Sequence, residues 1–150
     1  MFIFIGSDHR GFKLKEALKI FLKENGYEAV DVGNDHYDEN DDYPDFAKAV
    51  AEKVAENPEN NRGILICRSG VGVDIVANKF KGVRSALASN PEQARLSRND
   101  DDANILSLAA DFLSENEMRE IISVWLETPF SGDENHKRRL QKIKEYGDSK

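Results

Sequence analysis

Apolar positions fall into five short runs, separated by segments in which they recur at helical spacing. Phe2 to Ile5 is the first run, ending at Gly6-Ser7-Asp8-His9-Arg10-Gly11. From Phe12 onward Leu14, Ala17, Leu18, Phe21 and Leu22 mark the inner face of an amphipathic helix that Asn25-Gly26 closes. Glu28 to Val32 predicts a second strand, and a polar, acidic loop from Gly33 to Asp42 follows, containing His36. Tyr43-Pro44-Asp45 puts a proline in the first turn of the next helix, whose buried side is Phe46, Ala47, Val50, Ala51 and Val54. After a turn from Asn57 to Asn61, Ile64-Leu65-Ile66-Cys67 is apolar without alternation, as a parallel strand buried on both faces should be. It stops at Ser69-Gly70-Val71-Gly72 and leads into a helix from Val73 to Phe80. Strands from Val83 to Leu87 and Asn104 to Leu108, and helices from Pro91 to Leu96 and Glu115 to Leu126, complete the alternation. Right-handed crossovers turn that order into a parallel sheet covered by helices on both faces.

At 150 residues and 39% hydrophobic content the chain is expected to form one domain, 1–150, with a continuous core. The net charge of −7, without an arginine-rich arm or an aromatic-interleaved basic stripe, argues against nucleic acid and anionic membrane as partners and for a small solute. A single cysteine excludes an internal disulfide framework and fits a reducing compartment. The first strand begins within two residues of Met1, so no signal peptide or spanning segment is expected and cytoplasm is the default location. Only the tail departs from the acidic balance. Between Gly132 and Lys150 it carries His136, Lys137, Arg138, Arg139, Lys142 and Lys144, with Leu140 and Ile143 on one narrow apolar face, which predicts a basic helix over about 133–147. Such a helix is either a solvated face or an arm that crosses to a partner subunit and brings cations to an anionic substrate there.

The candidate chemistry lies at the carboxyl ends of the predicted strands, where open α/β sheets bind ligands. Gly70 and Gly72 allow backbone N–H groups to point into the space above the third strand, forming an anion cradle beside the Cys67 thiol. A thiol that moves a proton next to donors that hold an oxyanion suits chemistry through an enediolate. Spacing alone also fits a buried structural cysteine before an ordinary glycine turn. Asp8 and His9 fall on the same rim, where Asp is commonly a helix cap and His a surface residue. The run NDHYDENDD lacks the glycine and terminal glutamate of a calcium loop and reads as a solvated loop. The three histidines are far apart, and no Cys-x-x-Cys or His-x-x-x-His pair occurs, so no metal site is expected. Ser69-Gly70-Val71-Gly72 is not a nucleophile elbow.

Several blocks coincide with one family. Gly6 to Gly11 followed by Leu14-Lys15, Asp42-Tyr43-Pro44, Ile64 to Phe80 with Gly82-Val83-Arg84, Ala94 to Leu106, and His136 to Arg139 together resemble ribose-5-phosphate isomerase B and the subunits of galactose-6-phosphate isomerase. The resemblance covers nearly the whole chain. It implies a three-layer Rossmann-like α/β fold with a five-stranded parallel sheet, dimers or tetramers, no metal or organic cofactor, and interconversion of aldose and ketose phosphates. Position by position, it implies that Cys67 is the base. Ser69, with the backbone of Gly70, Val71 and Gly72, would stabilise the enediolate. Asp8 and His9 would hold the sugar's hydroxyls and ring oxygen, and Tyr43 would line the site. His136 and Arg139 would bind phosphate from the partner subunit.

The departures are informative. The family commonly has Gly at the position of Arg68, His at Asp100, Asn at Asp101, Arg at Asp111 and Arg at Asn135. An uncompensated carboxylate in place of a cation beside a phosphate dianion would cost on the order of several kcal/mol. Three readings follow. Arg68, Arg10, Lys137 and Arg138 restore the positive charge from other directions; or the sugar is different or carries no phosphate, with Asp100, Asp101 and Asp111 binding hydroxyls and Asp100 acting as the ring-opening acid; or the chain is one subunit of a heteromer with a paralogous partner, or a non-catalytic sugar-binding relative. The intact set of Cys67, Ser69, Asp8, His9 and Tyr43 favours an isomerase acting on an aldose, with a five-carbon sugar phosphate as the first expectation.

Overall fold

The computed structural model describes residues 1–148; Ser149 and Lys150, the end of the charged tail, lie outside the described residues. Five parallel strands, β1 (Ile3–Ser7), β2 (Ala29–Asp31), β3 (Arg62–Cys67), β4 (Ser85–Leu87) and β5 (Ile105–Ala109), lie in the order β2-β1-β3-β5-β4. The helices are α1 (Phe12–Glu24), α2 (Tyr43–Ala55), α3 (Val71–Ala77), α4 (Pro91–Asn99), α5 (Glu115–Glu127) and α6 (Glu134–Asp148). This is the three-layer Rossmann-like α/β arrangement. The central strands are buried throughout apart from the half-buried Arg62 that opens β3, while the short edge strands β2 and β4 are only partly covered.

Alternating strand residues feed two separate cores. Ile3, Ile5, Ile64, Ile66, Leu106 and Leu108 face α1, α4 and α5, meeting Leu18, Leu22, Ala94, Met118, Ile121, Ile122 and Trp125. On the other face Phe4, Leu65, Cys67 and Ile105 meet Ala47, Val50, Ala51 and Val54 of α2, and Val73 and Ala77 of α3. Each fully buried aliphatic side chain contributes about 1.5–3 kcal/mol relative to exposure.

Some element ends differ from the sequence reading for identifiable reasons. The first strand continues past Ile5 because Gly6 and Ser7 still pair with Leu65 and Ile66. Helix α4 continues past Leu96 because Arg98, a charged residue, is buried and reaches Asp102 (2.7 Å) and the Ala103 carbonyl (2.7 Å). α3 begins at Val71 rather than Val73 and ends at Ala77, where the Asn78 side chain donates to the carbonyls of Asp74 (3.1 Å) and Ser85 (3.0 Å).

The basic tail is helical, but α6 stands largely clear of the body. Among its described side chains only His136 and Leu140 are partly covered, and Ile143 and Tyr146 are exposed. At its foot Ser131 Oγ lies 2.6 Å from His136 Nδ1, and His136 Nε2 lies 3.7 Å from Asp100.

Among the described residues one lysine reaches the interior. Lys15 on α1 is fully buried, with its ammonium 2.8 Å from Asp31 Oδ2 at the end of β2 and donating also to the Asn34 carbonyl. Burial pushes the Asp31 carboxyl upward, but hydrogen bonds from Lys15 and Lys19 outweigh it and hold the group below its ordinary value. A carboxylate depressed in this way contributes stability that is present above its unfolded value, about 3.9, and is lost as pH falls through the lower folded value. Asp31→Ala is therefore expected to lower unfolding free energy by about 3 kcal/mol at neutral pH, because it strands a buried ammonium. The gap from wild type should close as pH falls below about 4. Urea denaturation at several pH values checks this; a gap independent of pH contradicts it.

Candidate functional site

The sheet reverses its direction of growth between β1 and β3. After β1 the chain crosses to β2 on one side, and after β3 it crosses to β4 and β5 on the other, so the loops leaving β1 and β3 part and open a crevice above their carboxyl ends. A pocket of ≈ 610 Å³ lies there, lined by Asp8, His9 and Arg10 after β1, by Cys67, Arg68, Ser69, Val71 and Gly72 after β3, and by Tyr43 and Ile75. Thus eight of the thirteen residues marked by sequence, Asp8, His9, Tyr43, Cys67, Arg68, Ser69, Val71 and Gly72, meet around one cavity, and Gly70 adjoins it through its N–H on the Cys67 sulfur.

Gly70 has φ +74°, and a Cβ there would sit 2.5 Å from Leu87 Cδ1 and 3.0 Å from the Leu108 carbonyl carbon. Gly72 leaves room for the Tyr43 ring, whose Cε2 and Cζ would be 2.6 Å from an added Cβ. The cradle differs from the open arrangement expected from sequence. The Gly70 N–H donates to Cys67 Sγ (3.2 Å) and the Val71 N–H to Ser69 Oγ (3.3 Å), so the turn closes partly on its own thiol and hydroxyl. That contact fixes the sulfur of Cys67, a residue 4% exposed that lines the pocket.

Asp8 fulfils the capping role as well as lining the cavity. Its Oδ1 accepts from the N–H groups of Arg10 (3.0 Å) and Gly11 (3.3 Å), which open a 3-10 turn over His9–Gly11. Burial pushes its carboxyl above the ordinary value against the lowering effect of those bonds and of His9. His9 Nδ1 lies 2.6 Å from Asp41 Oδ1. Within NDHYDENDD, Asp41 is thus no solvated residue: its side chain is 5% exposed and packed against a histidine of the pocket, which composition does not reveal. Ile75 likewise lacked a sequence signal.

Asp111 stands at the rim between two guanidiniums. Arg10 Nη2 donates to its Oδ2 at 2.7 Å and Arg68 Nε to the same oxygen at 3.2 Å. The hydrogen bond from Arg10 holds the carboxyl below its ordinary value. Two cations against one anion leave the rim positive, and the carboxylate gathers the arginines instead of leaving a bare negative charge.

The other marked residues are not brought to this pocket within the chain. Asp100 ends α4, accepting from the Asn99 side chain (2.7 Å) and lying near His136. The Asp101 carbonyl accepts from Arg84 Nε (3.0 Å), and its residue lines a separate groove of ≈ 1250 Å³ that α6 overhangs. Arg139 is exposed on α6. Asp100 and His136 therefore meet each other and not Cys67, and Asp100 has no route to a ring oxygen in the cavity of its own chain.

Gly70→Ala is expected to destabilise the fold by about 2–4 kcal/mol, from a left-handed backbone and overpacking against Leu87. Thermal denaturation measures this; an unchanged midpoint would contradict the turn geometry.

A family profile described as Ribose/Galactose Isomerase matches residues 3–143. The chain is 45% identical over 144 residues to a probable ribose-5-phosphate isomerase B of Mycoplasma genitalium, covering 96% of this chain and 94% of the relative. The crystal structure of ribose-5-phosphate isomerase B from the same organism, with bound ribulose-5-phosphate, superposes with a TM-score of 0.96 at 44% identity, over 99% of this chain and 97% of that one. Clostridium thermocellum ribose-5-phosphate isomerase B superposes with a TM-score of 0.94 at 43% identity, over 99% of each chain.

Proposed function

The chain belongs to the ribose/galactose isomerase family, and from that premise we propose that it interconverts ribose 5-phosphate and ribulose 5-phosphate, with Cys67 as the base. The observation that carries the assignment of the base is the placement of its sulfur, held by the Gly70 N–H at the floor of a cavity that also collects Asp8, His9, Tyr43 and Ser69.

In this reading Cys67 takes the proton from C2 of the open-chain aldose. The electron pair left behind forms a cis-enediolate with its charge on the two adjacent oxygens, and the same group returns the proton to C1 as the hydroxyl proton passes from O2 to O1. Ser69 and the Gly72 N–H are assigned to those oxygens, because the Gly70 and Val71 N–H groups are taken up by the Cys67 sulfur and the Ser69 hydroxyl. Preorganised donors of this kind are worth about 3–4 kcal/mol each in other enzymes. Asp8 and His9 hold hydroxyls and the ring oxygen, and Tyr43 closes one wall.

The paired state of Asp111 favours a phosphorylated substrate over a neutral one. The sign reversal at this position is offset by Arg10 and Arg68 at the rim, where each guanidinium keeps further N–H donors for a phosphate. Asp100, Asp101, His136 and Arg139 belong to a second half-site that a second copy of the chain would carry to this pocket, giving a homodimer or a tetramer. What supports this is α6, a fifteen-residue helix with Ile143 and Tyr146 uncovered, since helices of that length need a packed face to be stable in water.

The test is NMR of sugar phosphates in heavy water with the purified protein. Deuterium should enter ribulose 5-phosphate at C1 and ribose 5-phosphate at C2. Cys67→Ala should cut exchange by at least about a thousandfold while sugar-phosphate affinity changes little; exchange at the wild-type rate would remove the cysteine from the mechanism.

For the rim, Arg68→Ala should raise KM for the phosphosugar about tenfold or more and leave weak binding of the unphosphorylated sugar nearly unchanged. Equal weakening of both would show that Arg68 does not bind phosphate.

A further inference from the structure

The orientation of the His9 side chain is imposed from outside the cavity. Asp41 Oδ1 accepts from both the His9 main-chain N–H (3.0 Å) and the ring at Nδ1 (2.6 Å). Asp41 Oδ2 accepts from the Asn34 side-chain amide (2.9 Å). The Asn34 carbonyl in turn accepts from the buried Lys15 ammonium, which also binds Asp31 and lies 5.0 Å from the centre of the Phe12 ring. Tyr37 meets the His9 imidazole edge-on at 6.2 Å and the Phe12 ring at 6.3 Å. These contacts tie a loop without regular secondary structure, residues 33–42, to the first helix and lay it along one side of the histidine.

We propose that Asp41 is a positioning residue for the isomerase site: anchored through Asn34 and Lys15, it fixes His9 with the proton on Nδ1 and presents Nε2 to the substrate. The inference rests on the isomerase reading for its catalytic consequence, though not for the hydrogen-bond pattern. A carboxylate only accepts, so the His9 ring meets Asp41 with the hydrogen on Nδ1 and leaves Nε2 for the substrate. The groups facing the ring are Asp41, Asp8 on the neighbouring residue and Tyr37. Removing Asp41 leaves the tautomer and the ring plane undefined. Partners of this kind behind metal-ligating histidines are worth about 10–100-fold in affinity or activity.

Two variants and two readouts decide it. In Asp41→Ala, kcat/KM should fall about 10–100-fold. In a His9→Ala background the same change should matter less than about twofold, because its effect passes through His9. In Asp41→Asn the His9 N–H keeps the amide oxygen in place, Asn34 turns its own amide to match, and most of the activity should return. Nitrogen-15 NMR of histidine-labelled protein, with His9 assigned by its absence in His9→Gln, should show the Nδ1–H tautomer in wild type and in Asp41→Asn, and a shift towards Nε2–H in Asp41→Ala. An unshifted tautomer in Asp41→Ala overturns the positioning role even if the protein proves to be no isomerase. A shifted tautomer with unchanged kcat/KM, or additive losses in the double variant, overturns its catalytic consequence. Wild-type protein inert towards sugar phosphates instead counts against the isomerase reading alone, since the tautomer result stands without it.

Discussion

The parallel pairing of β1 with β3 is the constraint from which the site follows. Ser7 lies opposite Ile66 and Cys67 opposite Ala109, so the last residues of three adjacent strands end at nearly the same level. Because the chain leaves β1 and β3 in opposite directions, the loops part and a pocket opens above the seam. Side chains distant in sequence, from Asp8 to Cys67 and Arg68, reach that space on rigid supports. A slip of one residue between these strands would turn Cys67 from the α2–α3 core to the opposite face. Hydrophobic burial on both sides of the sheet therefore specifies the position of the thiol as firmly as any contact within the pocket.

Around that seam, charge is handled by pairing. Lys15 is buried with Asp31, Arg98 with Asp102, and the rim carboxylate Asp111 lies between Arg10 and Arg68. The first two hold chain segments in place, and breaking either would leave a charge away from water. The rim cluster is more exposed and correspondingly weaker, so its importance lies in where the guanidiniums stand rather than in stability. An acidic protein can thus keep a positive edge on one cavity.

The five parallel strands, their alternation with helices and the meeting of eight marked residues around Cys67 were legible because each rests on a local pattern: apolar runs, glycines at the turn, and blocks matching a known family. Less was visible where function depends on partners far apart in the chain. Asp41 sits in an acidic run whose composition matches that of a solvated loop; only its approach to His9, thirty-two positions away, sets it apart. Gly70 was identifiable as a turn residue, whereas the use of its N–H by the Cys67 sulfur depends on a left-handed backbone that spacing alone does not encode. The substitution of Asp at 111 looked like a reversal of sign and proved to be the meeting point of two arginines, because the loop after β5 approaches the residues after β1 and β3. Asp100 went the other way: its sequence neighbourhood marked it for the site, and the end of α4 carries it to the foot of α6.

The solitary thiol has a bookkeeping value for the chemist. Cys67 is the one cysteine in 150 residues, so any reagent that consumes sulfur is reporting on a single place in the molecule. With 4% of the residue accessible, the thiol meets solvent only through the cavity it lines. Sulfhydryl content measured after denaturation then counts intact chains, while any loss of thiol from the folded protein is a change in this one cavity.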